Sequence, residues 1–261
     1  MMRMKTKYRI LFTTRVQEFA ETSTVVDSPP PELSPVALGT PATRVVKEIV
    51  RLPHLEYEFY EHLYIHRIIR TAVWAEKNGY DAMVIGCFYD PGLREARELV
   101  KMPVVGVCEA SLHVASMLTA GKFSILVGRR KWIPKMADNV RNYGFESRIA
   151  SWRVLNLTVP DMRDKEKTQA AILREARAAV EEDLAECVIL GCTGMAGQAK
   201  KAQEELGIPV LDPVLMGLKV AELRAMLWRR FGISHSKIGG YEAPPHEELE
   251  PIYRRVYGDY P

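Results

Sequence analysis

The sequence has little of what would decide its chemistry at a glance. It holds four cysteines in 261 residues, too few for a disulfide scaffold at this length. No CxxC pair and no zinc-spaced His stands near them. The disulfide-rich secreted class is thereby excluded, and a reducing compartment, the cytoplasm, is the expected setting. The formal net charge is only +3. No block of like charges and no RNA or DNA motif accompanies it, so nucleic acid is excluded as a partner. No apolar run approaches the length of a membrane span. The basic N-terminus, MMRMKTKYRILFTTR, lacks a sustained apolar segment and a small-residue cleavage site, and a signal peptide is rejected. No motif for a metal or an organic cofactor is visible, so none is expected.

What is present is ordinary for a globular protein: 47% hydrophobic and 26% charged residues, with enough length for one large domain or two modest lobes. Short apolar runs alternate with longer amphipathic stretches. YRILFT (8–13) predicts a strand, DSPPPELSPVALGTP (27–41) a proline-rich loop long enough to be a flap, and 42–52 a helix. LEYEFYE (55–61) alternates like a strand, and HRIIRTAVWAEKNG (66–79) predicts a helix closed by Asn-Gly. DAMVIG (81–86) and PVVGV (103–107) predict strands. Between them Pro91 suits the first turn of a helix with Asp90 as its cap. A helix is expected over 109–121. The rhythm continues with strands at 122–127, 150–157, 186–191 and 208–211, and helices over 131–143, 164–182, 195–206 and 213–231. Such alternation implies parallel sheets, whose ligands sit beyond the carboxyl ends of the strands. The tail from Gly232 is rich in Pro, Gly and Tyr, and either wraps the body or builds an oligomer contact.

An internal repeat organises these elements. DAMVIGC (81–87) lies over ECVILGC (186–192), which aligns Cys87 with Cys192. MPVVGV then lies over IPVLDP, after 16 residues in one copy and 17 in the other. YRILFTTR (8–15) resembles KFSILVGR (122–129), pairing Arg15 with Arg129. Duplication predicts two pseudo-symmetric lobes, residues 1–107 plus 214–261 and residues 108–213, in which equivalent residues, the two thiols included, face a common ligand.

That placement suits one chemistry. Removing a proton from one face of a carbon and returning one to the other needs two acid/base groups, one deprotonated and one protonated. A free thiol ionises near pH ~8.5, and a helix N-terminus makes ionisation easier. Each of the two Cys precedes a predicted helix. The TGMAG segment after Cys192 is small enough for its backbone N–H groups to approach an oxyanion.

The blocks VIGCFYDPGLREARELVKMPVVGVCEA and VILGCTGMAG…LGIPVLDPV closely resemble the hydantoin racemase family, within the aspartate/glutamate racemase group. The resemblance covers roughly residues 60–220. It implies an α/β fold of two pseudo-symmetric lobes, each a parallel sheet flanked by helices, with the active site in the cleft between them. It also implies cofactor-independent racemisation of a small molecule such as a 5-substituted hydantoin or allantoin, with Cys87 and Cys192 as the acid/base pair, and a homo-oligomer. Substrate contacts are expected from Phe88, Thr193 and Gly194 beside the two Cys, and from the segments after the first strand of each copy: Thr13, Thr14 and Arg15, and Val127, Gly128 and Arg129.

Those last two segments depart from the family pattern. An Asn-Pro-Asn-Thr type motif commonly follows the first strand, where this chain has LFTTRVQEF, and a Thr-bearing loop is replaced by LVGRRKW. A bidentate Arg suits a carboxylate better than an uncharged hydantoin ring, so a carboxylate or ureido acid stands as the alternative substrate class. Arylmalonate decarboxylases need only one of the two Cys, and maleate isomerases use one as a nucleophile. A non-catalytic small-acid-binding protein on the same scaffold is the alternative of another class. Cys187, inside a strand, is expected in the core, and Cys108 is expected to pack. Glu109 opens a helix, where its charge favours the dipole. Asp212 reads as a cap or a supporting group of the pocket. His62 and His66 share a helix face, but nothing near them completes a metal site.

Overall fold

A computed structural model describes residues 8–13, 25–27 and 54–257. The helix expected over 42–52 and the proline-rich segment beyond Asp27 lie outside these residues. Strands β1 (Arg9–Phe12), β2 (Val25–Asp27), β3 (Ala82–Ile85) and β4 (Val104–Gly106) form one sheet in the order β2-β1-β3-β4. Strands β5 (Phe123–Val127), β6 (Ile149–Val154), β7 (Cys187–Leu190) and β8 (Val210–Leu211) form a second in the order β6-β5-β7-β8. β1 pairs in parallel with β2 and β3, and β5 with β6 and β7. The helices are α1 (Glu58–Lys77), α2 (Leu93–Leu99), α3 (Val107–Leu118), α4 (Ile133–Asn142), α5 (Lys165–Glu181), α6 (Ala199–Leu206), α7 (Pro213–Phe231) and α8 (His246–Tyr257). This is the α/β architecture expected from the alternation of apolar runs and amphipathic stretches. β3, β5 and β7 are buried at every position, as strands covered on both faces must be, so their sequences run continuously apolar rather than alternating.

The chain divides into two compact units. One comprises Met1–Ile85, Pro91–Val105 and Leu218–Pro261, the other Gly86–Asp90 and Gly106–Gly217. Five residues that follow β3 thus belong with the second unit, although the strand itself belongs with the first.

The repeat extends to hydrogen bonding. Met83 donates its N–H to Pro103 O at 2.9 Å, and Val188 does the same to Pro209 O at 3.0 Å. The first-strand alignment, however, slips by one residue. β1 places Ile10 opposite Ala82, and β5 places Phe123 opposite Cys187. With Cys87 and Cys192 superposed, Ile10 is therefore equivalent to Phe123 and not to Ser124. Arg129 then corresponds to position 16, so Arg15 and Arg129 are not equivalent. Short apolar strands align by composition almost as well one residue out of step, and only strand pairing fixes the frame.

Residues 55–61 do not form a strand. α1 starts at Glu58 and buries Glu61, Tyr64, Ile68, Ala72 and Ala75, a three-to-four-residue spacing that outweighs the brief alternation. Glu58 and Glu61 lie in its first turn, where the helix dipole favours them. The tail holds α8, for which the sequence pattern offers no expectation, and its preceding segment wraps the first unit. Lys237 Nζ donates to the carbonyls of Arg97 and Glu98 at 2.5 and 2.6 Å, the unsatisfied end of α2. Ser234 Oγ donates to Lys101 O, and His235 Nε2 bonds Val100 O at 2.6 Å. Burial holds the His235 imidazole at about 4, so it is neutral there. The buried Arg97 completes the strap, with Nε and Nη2 on Val104 O and Nη1 on Tyr241 Oη at 3.1 Å. Arg97→Ala is expected to lower stability by about 2 kcal/mol, since it deletes charge-assisted bonds to a buried carbonyl. Tyr241→Phe should cost less than about 1 kcal/mol. Urea denaturation of the two variants beside wild type measures both.

Candidate active site

Both Gly-Cys turns leave the carboxyl ends of equivalent strands. From β1 and β5 the chain passes to an edge strand on one side, and from β3 and β7 to β4 and β8 on the other. The connection reverses between β1 and β3 in one sheet and between β5 and β7 in the other, the kind of position where open parallel sheets bind ligands. Thr13 follows β1, Cys87 and Phe88 follow β3, Val127 ends β5 with Gly128 and Arg129 after it, and Cys192, Thr193 and Gly194 follow β7. Thr14 and Arg15 lie outside the described residues.

The two Cys turns lie in one unit. Thr193, directly after Cys192, donates its hydroxyl to the carbonyl of Gly86, directly before Cys87, at 3.2 Å. Residues more than a hundred positions apart are thereby stitched side by side. Cys87 and Cys192 are each partly exposed, whereas Cys108 and Cys187 are buried, and all four are thiols. Burial pushes the Cys187 thiol up to about 12 and the Cys108 thiol well above its usual range. These two stay protonated at neutral pH, as expected of packing groups.

Cys192 caps a short 3-10 turn, Thr193–Met195, and its sulfur accepts the N–H of Gly194 at 3.3 Å. Lys165 donates its ammonium to Gly194 O at 3.3 Å. After β5, a side chain at Gly128 would come within 2.5 Å of Leu157 O, so the chain passes there only as glycine. Arg129 precedes the 3-10 turn Arg130–Trp132 and is partly exposed. Val127 and Phe88 are buried in the interior, and Thr13 is buried as well.

The Cys87 turn is built differently from the sequence expectation. Asp90 does not cap α2, whose N-cap is Gly92 at φ 68° with no side-chain bond. The Asp90 carboxylate instead accepts the N–H groups of Cys108 and Glu109, at 3.0 and 2.9 Å, and caps α3. Tyr143 Oη donates to Asp90 Oδ2 at 2.9 Å, and Asn139 Nδ2 donates to Tyr89 O at 2.6 Å. Asn139 and Tyr143 are four apart at the end of α4, so one helix face holds the turn. Neither residue carries a sequence signal. Asp212, expected as a cap or as a supporting group of the pocket, caps α7, accepting from Val214 and Leu215 and also from Gly197.

Burial raises the Asp90 carboxyl to about 7, against the pull of its three donors. A carboxyl raised on folding contributes stability that is full below its unfolded value and is lost as pH rises through the folded one. Stability is therefore expected to fall from about pH 4 to about pH 7. That component of the slope should vanish in Asp90→Asn, as followed by thermal melts across the range. Among the described residues, no group of three or more His, Cys, Asp or Glu is placed to hold a metal ion, and no helix is long and apolar enough to cross a membrane.

The geometry has parallels in known proteins. The profile of the Asp/Glu/hydantoin racemase family matches residues 56–221. A hydantoin racemase from Pseudomonas sp. (strain NS671) is 39% identical over 195 residues, 74% of this chain and 76% of that protein. The allantoin racemase of Klebsiella pneumoniae superposes with a TM-score of 0.70 at 25% identity, over 91% of this chain and 93% of that one. The allantoin racemase of Pseudomonas fluorescens gives a TM-score of 0.69 at 27% identity, over 92% and 97%.

Proposed function

We propose a reaction from one premise: this chain belongs to the Asp/Glu/hydantoin racemase family and is an isomerase, a racemase. Its substrate is a 5-substituted hydantoin or an allantoin-like ring, and Cys87 and Cys192 are the two bases. One thiolate takes the proton alpha to the carbonyl. Backbone N–H groups of the Cys turns stabilise the enolate, and the other thiol returns a proton to the opposite face. The transfer calls on no cofactor. The observation that carries this reading is the pairing of two partly exposed thiols at equivalent strand ends, on turns joined by the Thr193–Gly86 bond. The four thiols support a cytoplasmic setting, and the family resemblance supports a homo-oligomer.

The test is α-proton exchange in D2O, followed by proton NMR on single enantiomers of 5-substituted hydantoins and allantoin. Wild type is expected to exchange with inversion. Cys87→Ser and Cys192→Ser should each lose inversion by more than about a hundredfold, while the thiol that remains still exchanges the enantiomer it faces. Inversion that survives either substitution refutes the two-base mechanism. Absence of exchange on every substrate favours a non-catalytic binding protein.

A second reading, an anionic substrate such as a ureido acid, is favoured by the Lys165 ammonium on the Cys192 turn. On that reading Lys165→Gln and Arg129→Gln raise KM for carboxylated substrates by roughly tenfold and leave neutral rings unaffected. Equal effects on both classes, read from steady-state kinetics, remove it.

A further inference from the structure

The repeat exposes a substitution of one anchoring device for another. Counting from the aligned prolines, Gly106 is equivalent to Asp212, Cys108 to Val214 and Glu109 to Leu215. In the C-terminal copy the residue at the N-cap position, Asp212, accepts the N–H groups of Val214 and Leu215 from within its own helix start. In the N-terminal copy that position is Gly106, and the two equivalent N–H groups are taken by Asp90, sixteen residues upstream. The exchange is steric as well as electrostatic. A Cβ on Gly106 would lie 2.6 Å from Asp90 Oδ1, so the upstream carboxylate occupies the volume that a capping side chain at 106 would fill.

A carboxylate from upstream does something that a local cap cannot: it fastens the turn that carries Cys87. Asp90 donates its own N–H to Cys87 O at 3.0 Å, closing the turn between thiol and anchor. Its backbone stands at φ 47°, a conformation that a residue other than glycine keeps only when its surroundings enforce it. Tyr143 holds the second carboxylate oxygen, and Thr193 holds the other end of the turn through Gly86 O.

We propose that Asp90 is a positioning residue for Cys87: its carboxylate, seated on the N–H groups of Cys108 and Glu109 in the place vacated at Gly106, fixes the Gly86–Asp90 turn and with it the thiol. The inference rests on the proposed role of Cys87, and thiol reactivity tests it independently of turnover.

The decisive comparison is Asp90→Ala against the double variant Asp90→Ala/Gly106→Asp. The double variant rebuilds on α3 the local cap that Asp212 supplies elsewhere. Gly106 has φ −88° and ψ 139°, which aspartate adopts readily. Three quantities are read: the melting temperature, kcat and KM for inversion, and the iodoacetamide alkylation rates of Cys87 and Cys192, resolved by peptide mass spectrometry. Asp90→Ala should lower the melting temperature, reduce kcat about a hundredfold with KM little changed, and alter the alkylation rate of Cys87 but not of Cys192. The double variant should recover the melting temperature alone. Recovery of kcat and of Cys87 reactivity along with stability would show that Asp90 only caps a helix, and would overturn the proposal. So would an Asp90→Ala protein with unchanged Cys87 reactivity. If the double variant fails to fold, Tyr143→Phe decides the matter. It removes one bond to Asp90 and leaves α3 capped, and it should shift Cys87 alkylation selectively; an unchanged rate overturns the proposal. Loss of the racemase reading alone would appear as absent exchange in wild type with the alkylation pattern intact.

Discussion

The structure around the thiols depends on one buried carboxylate. Asp90 gives up its hydration to lie against the start of α3, and that exchange is tolerable only because three donors converge on it. Removing the donors would leave a polar group in the interior, and removing the carboxylate would leave two helix-end N–H groups unsatisfied. The turn bearing Cys87, the start of α3 and the end of α4 therefore hold one another in place. These bonds lie within the second unit, to which the five residues after β3 belong.

Duplication supplies the frame in which this makes sense. Two sheets with one strand order each carry a Gly-Cys turn at matching strand ends, an arrangement that suits the proposed two-base reaction. The supports of the two turns have nevertheless diverged. The sulfur of Cys192 accepts the Gly194 N–H of its own 3-10 turn, a turn that Lys165 also braces through Gly194 O. The turn of Cys87 is braced by the carboxylate of Asp90 on α3 and by Asn139 on Tyr89 O, and the Thr193–Gly86 bond is common to both turns. The Cys87 turn carries Phe88 and Tyr89, both buried.

Much of this is legible in the sequence, for reasons that differ by element. The strands of DAMVIG, KFSILV and ECVILG are readable because burial on both faces makes them continuously apolar. α7 is bounded at both ends, by Pro213 after an aspartate cap and by Gly232 beyond its last turn. Residues 55–61 mislead because a seven-residue window fits period two and period 3.6 alike. α8 is hidden by Pro251, which sits within it. The Cys pair is visible through the repeat, but Asn139 and Tyr143, which hold Tyr89 and Asp90 of the Cys87 turn, come to it only through folding. Asp90 carries a cap signal, yet sequence proximity assigns it to α2 where space assigns it to α3. The clue lies in the repeat, where one copy has an aspartate at the cap position and the other a glycine.

Unequal supports for two thiols constrain a racemase in a specific way. Enantiomers of a compound with one stereocentre have equal free energy in water, so the equilibrium constant between them is one. The ratio of kcat/KM in the two directions must then also be one, however different the two bases are. With Cys87 and Cys192 as the two bases proposed above, the difference between their supports cannot favour one product at equilibrium. It can only divide the same kcat/KM differently between binding and turnover for the two hands of the substrate. A second stereocentre in the substrate lifts this restriction, because the two forms are then diastereomers of unequal energy. On the proposed two-thiol reading, the balance of kcat and KM between the two directions depends in part on how the two thiols are held, whereas the equilibrium ratio of the two forms depends on the substrate alone.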